Sequence, residues 1–312
     1  MKLRGITIKL LIIVTFMVLI FLSNTVYATT NEIEDRSDTE VVSYNLETQV
    51  EVVETYDNSI TMHRAGYNSI IPNYEPKTKQ RVIVGNDDRN GMMSINKYPY
   101  SATCLIISYY SDGTSYMGSG AIISQDKVLT SGHNLYDYDK KLWVTSVDVI
   151  PTAFGGTEFS NILIKPYGTT YSKQVWVGST YKSYNDPRGD WGVISLADPI
   201  GNETGWYGLQ GYGDASNLNN KTAVSRGYPV LNKYRLYFEM YEAPGRIYNV
   251  TSHMFDTDID VEKGQSGSPV CLTSNDAFVV GIIKGTAENG IENVAVRLSN
   301  QLVDTIRDLI NK

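Results

Sequence analysis

A chain of 312 residues with a formal net charge of −7 and 42% hydrophobic content has room for one large core or two small ones, and lacks the basic blocks that bind nucleic acid. Two cysteines in that length exclude a disulfide framework, and neither a His-Glu-x-x-His metal site nor a phosphate-cradling P-loop occurs, so neither a metal nor an organic cofactor is expected. The 23 tyrosines and 26 glycines among short β-branched runs point to an all-β protein with half-buried tyrosine rings.

Lys2, Arg4 and Lys9 precede an apolar run from Leu10 to Leu22, which closes on Val26-Tyr27-Ala28. A basic start, an apolar run short of the roughly 20 residues of a membrane span and a small final residue predict a secretory signal peptide over residues 1–28. The expected product is secreted and extracellular, with no stable membrane association once the leader is gone. From Thr29 to Arg81 ten acidic residues stand against five basic ones, with little apolar periodicity. Such a composition does not bury enough surface to fold alone, and residues 29–81 are expected to be a propeptide. It ends Pro76-Lys77-Thr78-Lys79-Gln80-Arg81, a basic, exposed site suited to proteolytic cutting ahead of Val82.

Beyond Val82, strand candidates follow at short intervals: 102–110, 120–124, 127–130, 142–150, 162–164, 174–177, 191–196, 222–226, 234–240 and 245–250. Three more, at 270–273, 278–284 and 293–297, follow in turn. Turn residues separate nearly all of them, the pattern of a β-barrel or sandwich. Leu302, Val303, Ile306, Leu309 and Ile310 then recur at helical spacing behind Ser299 or Asn300 as N-cap, which predicts one closing helix.

The chemistry centres on Gly264-Gln265-Ser266-Gly267-Ser268-Pro269-Val270. A serine hydroxyl is a weak nucleophile that needs a neighbouring base, and flanking glycines let backbone N–H groups turn toward the carbonyl oxygen under attack. Gly264 and Ser266 are the expected donors. Ser268, followed by proline and lacking a second glycine, reads as structural. Of the three histidines, His63 lies in the propeptide, leaving His133 and His253. His133 ends a buried strand in Val128-Leu129-Thr130-Ser131-Gly132-His133-Asn134, a suitable cleft edge, while His253 reads as structural. Asp190 follows Gly189 and opens a strongly apolar strand, where a buried carboxylate needs a cationic or imidazole partner. The order His133, Asp190, Ser266 is that of two-barrel serine proteases.

Five stretches make the likeness specific: Tyr98-Pro99-Tyr100-Ser101-Ala102, Gly118-Ser119-Gly120-Ala121-Ile122-Ile123, Leu129-Thr130-Ser131-Gly132-His133, Gly189-Asp190-Trp191-Gly192-Val193-Ile194 and the Ser266 turn. Together, from Val82 to the C-terminal helix, the chain resembles the glutamyl endopeptidase (staphylococcal V8-like) branch of the trypsin/chymotrypsin-like serine proteases. The resemblance implies two six-stranded antiparallel β-barrels with a C-terminal α-helix, the barrels meeting near residues 195–215. It implies protein or peptide substrates, with Ser266 as nucleophile, His133 as general base and then acid, Asp190 as its orienter and Gly264 with Ser266 as oxyanion hole. It also implies that the amine of Val82, created by processing, lies near an acidic substrate side chain. Gln265 stands where animal trypsins carry the aspartate that latches such an amine. The expected protein is a monomer.

The specificity pocket departs from the family. Val261 and Ile283 stand where glutamate-selective members keep a threonine and a histidine. Lys263 or Lys284 would then supply charge to a glutamate side chain, whereas Asp260 with Glu262 would favour arginine or lysine. Cys104 and Cys271 are open to two readings, a disulfide in an exported protein or two small buried residues. Beside the protease stands a secreted toxin-like or binding protein on the same fold with restricted or no general proteolysis. An esterase is disfavoured, because the turn lacks the Gly-x-Ser-x-Gly form.

Overall fold

The computed structural model describes residues 36, 38–56, 62–63, 90–91, 96–157, 160–230, 238–286 and 293–312. The expected leader, the Arg81–Val82 junction and most of the strand expected at 234–240 lie outside these residues.

The acidic segment, expected to lack a fold of its own, contributes an antiparallel hairpin of Glu40–Asn45 (β1) and Val50–Thr55 (β2). Val41 and Val42 are buried in the same apolar cluster as the first barrel, so the hairpin is held by a neighbour's core.

That barrel comprises Thr103–Tyr110 (β3), Ser115–Ile122 (β4), Lys127–Thr130 (β5), Leu142–Pro151 (β6), Thr170–Gly178 (β7) and Gly192–Leu196 (β8). Neighbours run β7-β8-β5-β4-β3-β6, every pair antiparallel, and the ring closes where Thr170 and Tyr171 face Val149 and Asp148. Ile106, Ala121, Leu129, Val149, Val175 and Ile194 are fully buried in its cluster. Beyond Tyr171, β7 offers an edge at Gln174–Gly178, and β1 pairs with it.

The second barrel comprises Thr222–Gly227 (β9), Tyr241–Tyr248 (β10), Met254–Thr257 (β11), Pro269–Leu272 (β12), Asn275–Thr286 (β13) and Asn293–Arg297 (β14). Its order is β12-β9-β10-β11-β14-β13, again antiparallel throughout and closed by β13 on β12. Ala223, Ala243, Phe255, Val270, Val280 and Ala295 pack inside.

Strand β10 starts at Tyr241, four residues before the sequence signal at Gly245. Proline cannot donate to a ladder, so a strand containing Pro244 needs one side free of pairing there. Pro244 faces Val224 of β9, whereas β11 pairs only Ile247 and Tyr248 on the other side.

Short helices Ser179–Tyr184 (α1) and Gly201–Thr204 (α2) lie on connections, and Asn300–Ile310 (α3) closes the chain. The Ser299 side chain accepts from the Leu302 N–H and caps α3, while Leu302, Val303, Ile306 and Leu309 are buried. Full burial of each such side chain contributes roughly 1.5–3 kcal/mol.

The disulfide reading is corrected: Cys104 on β3 and Cys271 on β12 are free and buried. They sit on strands of different barrels and behave as small apolar residues. Burial pushes the Cys271 thiol up to about 12 and the Cys104 thiol up as well, which leaves almost no thiolate to oxidise at neutral pH.

Candidate active site

Register brings the first two groups together. Gly192 of β8 pairs with Thr130 of β5 and Val193 with Leu129, so the residues just before β8 lie beside those just after β5. Asp190 leaves the short turn Pro187–Gly189, and His133 sits in the 3-10 turn Gly132–Asn134. Across 57 positions of sequence, the His133 backbone N–H donates to Asp190 Oδ1 at 2.8 Å. Its ring Nδ1 lies 2.9 Å from Oδ2 and 3.1 Å from Oδ1.

Asp190 is buried, and the His133 side chain is one third exposed, at 33%. Burial pushes the Asp190 carboxyl up, but the His133 ring and N–H, with Lys284 adding to them, hold it below the usual aspartate value. An ionised carboxylate at Nδ1 assigns the ring proton there, leaving Nε2 as an acceptor.

The third group comes from the turn between β11 and β12. Gly264 has φ +97° and Gly267 φ +88°, the left-handed region that favours glycine. A Cβ on Gly264 would lie 2.5 Å from the Tyr228 carbonyl oxygen, and one on Gly267 would lie 2.2 Å from that of Ser119. Between them, the N–H groups of Gly264 and Ser266 have no acceptor among the described residues. Unengaged N–H groups of this kind are the donors an oxyanion would use.

The Ser266 hydroxyl donates to the Lys284 carbonyl at 3.1 Å, and no hydrogen bond joins it to His133. Ser268 Oγ is fully enclosed, without a partner among the described residues, and so is closed to substrate. His253 lies elsewhere, beside Asp38 and α3.

Three further residues, which the motif reading did not single out for a role, tie the barrels at this seam. Ser119 Oγ donates to the Gly264 carbonyl at 2.9 Å and accepts from the Tyr228 N–H, while its own N–H donates to the Ser266 carbonyl at 2.8 Å. Asn134 Nδ2 donates to the same Ser266 carbonyl at 3.0 Å, and Ser131 Oγ to the Ile283 carbonyl at 2.9 Å. All three fall within or next to stretches that carried the family resemblance, which was the available signal.

The pocket positions divide. Ile283 is buried in the second barrel's cluster, with Val261 packed against it. Asp260 is half-buried and has an interaction partner, Lys284 is half-buried, and Lys263 is exposed. Val82 lies outside the described residues.

The family described as Trypsin matches residues 93–306. A curated relative named Extracellular metalloprotease, from Bacillus subtilis, is 27% identical over 236 residues, covering 74% of this chain and 70% of that protein. Among the described residues, no group of three His, Cys, Asp or Glu side chains is placed to hold a metal ion. A Glutamyl endopeptidase from Bacillus licheniformis is 30% identical over 188 residues, 60% of this chain and 54% of that protein, so the chain spans about half of that relative. A solved structure of Glu endopeptidase in complex with MPD matches at TM-score 0.63 and 20% identity, over 74% of this chain and 100% of the other, a likeness of fold.

Proposed function

Because the chain belongs to the trypsin family and is thereby a serine endopeptidase, we propose that it is secreted, processed near Arg81/Val82 and cuts polypeptides through Ser266, His133 and Asp190. The observation that carries this reading is the His133–Asp190 pair, 2.9 Å apart, at the seam with a serine turn whose two N–H groups are unengaged among the described residues. In this mechanism the Ser266 hydroxyl first swings from the Lys284 carbonyl to Nε2 of His133. It then attacks the scissile carbonyl as His133 takes its proton, and the Gly264 and Ser266 N–H groups hold the oxyanion. His133 returns the proton to the leaving amine, an acyl-enzyme remains on Ser266, and water attacks it by the same route in reverse. Asp190 keeps the ring oriented and stabilises the imidazolium, without itself taking the proton.

For the residue before the cut we propose glutamate. The charge would come from Lys284, near enough to Asp190 to depress its pKa, and from the Val82 amine that processing creates. Asp260 is the alternative, and would favour arginine or lysine at that position instead.

One observation favours a second reading. The Ser266 hydroxyl rests on a backbone carbonyl, beside a pocket region where Val261 and Ile283 are apolar, as in a protease-like binding protein with little turnover. Digestion of a peptide library by the processed chain separates these. Cuts after glutamate are expected; cuts after arginine or lysine would transfer the pocket to Asp260, and an intact library would favour the binding protein.

A further inference from the structure

The acidic arm is seated on both barrels. On the first, β1 occupies the edge of β7 over five register positions, Val41 opposite Gly178 through Asn45 opposite Gln174. Without it that edge would be unpaired, a row of N–H and C=O groups open to strand addition. Tyr44 stacks on Trp143 with ring centroids 5.0 Å apart and planes 1° from parallel. Glu51 accepts from the Trp143 indole at 2.8 Å and pairs with Lys182.

At the other end, Asp38 enters a cleft of about 900 Å³ whose walls include Tyr212, Ser252, His253, Arg297 and Ser299. Its carboxylate accepts from the Ser299 hydroxyl and lies 3.8 Å from His253 Nε2, while its carbonyl accepts from Thr305 Oγ1 at 2.6 Å. Arg297 is 3% exposed, and its guanidinium donates to the carbonyls of Ser252 and Tyr212. Burial pulls the Arg297 pKa below its ordinary value, and of the two carboxylates opposing that fall Asp38 is the larger influence. A buried cation that loses its counter-charge is costly, so the cleft favours keeping Asp38. Glu54 pairs with Lys312 just past α3.

None of these contacts is with His133, Asp190 or Ser266. We propose that residues 38–55 remain bound after the cut at Arg81 as a non-covalent strand of the protease, spanning β7 and the α3 cleft. The inference rests on the processing reading above. It gives processing a particular meaning, since the cut releases the Val82 amine without unblocking the cleft. Latency of the precursor then resides in the covalent junction.

The test uses the full precursor, cut at Arg81 and passed over a gel-filtration column in native buffer and in denaturant, with intact masses recorded across the peaks. The fragment ending at Arg81 is expected to co-elute with the larger chain in native buffer and to separate only in denaturant. Peptide cleavage should rise with the cut and rise no further as the fragment is stripped away. With Asp38→Asn the fragment should leave about tenfold faster, the scale of losing a charged hydrogen bond. Should that variant fail to fold, exchange of a labelled native fragment against a synthetic peptide of residues 36–56 gives the same measurement.

Separation in native buffer as soon as the bond is cut would overturn the proposal, as would cleavage that appears only as the fragment departs. A mature chain starting elsewhere than Val82 would instead count against the processing reading. Co-elution still scores the arm in that case, whichever bond between Tyr56 and Val82 was opened.

Discussion

Asp190 is the residue whose environment sets the clearest pH dependence. Its carboxyl is held below the ordinary value of 3.8, so its contribution to stability is fully present above that pH and is lost as pH falls through the lower folded value. Urea unfolding should find the native chain more stable than Asp190→Asn at pH 6, with the gap closing as the solution is acidified below 3.8. The same substitution should slow peptide cleavage by about 10⁴, because an amide no longer fixes the ring proton on Nδ1. Ser119→Ala removes a hydroxyl that bonds the Gly264 carbonyl and the Tyr228 N–H, leaving two buried groups unpaired at roughly 1–3 kcal/mol each. Steady-state kinetics should show kcat falling about tenfold with KM little changed, since the bond positions the turn proposed to hold the oxyanion and touches no substrate. The sequence singles out His133, Asp190 and Ser266 because each has an unusual flank for its type, and the structure brings the first two within 2.9 Å. Ser119 and Asn134 were not singled out, because they act on backbone carbonyls 145 and 132 positions away, and nothing local marks that.

At the scale of elements, the antiparallel register of β5 and β8 does what no single residue can. It sets two turns side by side, and the imidazole and carboxylate follow. The Ser266 turn depends on its glycines in the same way. Gly267→Ala should destabilise the fold by roughly 1–3 kcal/mol through its left-handed backbone alone, and the clash with the Ser119 carbonyl adds to that in thermal unfolding. Strands β5 and β14 were readable to the residue, since a run of strand formers ends there in a turn. Strand β4 was read five residues late, because Gly118 and Ser119 look like a loop until their pairing with β3 supplies the ladder. The β1–β2 hairpin was hidden for another reason. Its two buried valines sit in an acidic composition, and the edge that orders them lies on β7, far along the chain.

For the whole molecule, two closed rings of six strands place His133, Asp190 and the Ser266 turn at their seam, with the C-terminal helix and the acidic arm fastened across the outside. Strand count and turn spacing pointed only to a β-barrel or sandwich, and the two barrels came from the family resemblance, because ring closure is a non-local event that no window of sequence contains. The cysteines illustrate the limit: the expected export allowed a bridge, whereas the structure holds both thiols free and buried. A thiol reagent should therefore find no reactive cysteine in the folded protein and two after unfolding in denaturant, without any reductant. In the proposed mechanism one hydroxyl, made nucleophilic by one histidine, does the chemistry. Its most direct measurement is peptide mapping after treatment of the processed protein with a fluorophosphonate. A single adduct is expected on Ser266, absent in Ser266→Ala and formed far more slowly in His133→Ala. An adduct on any other residue, or undiminished proteolysis by Ser266→Ala, would contradict it.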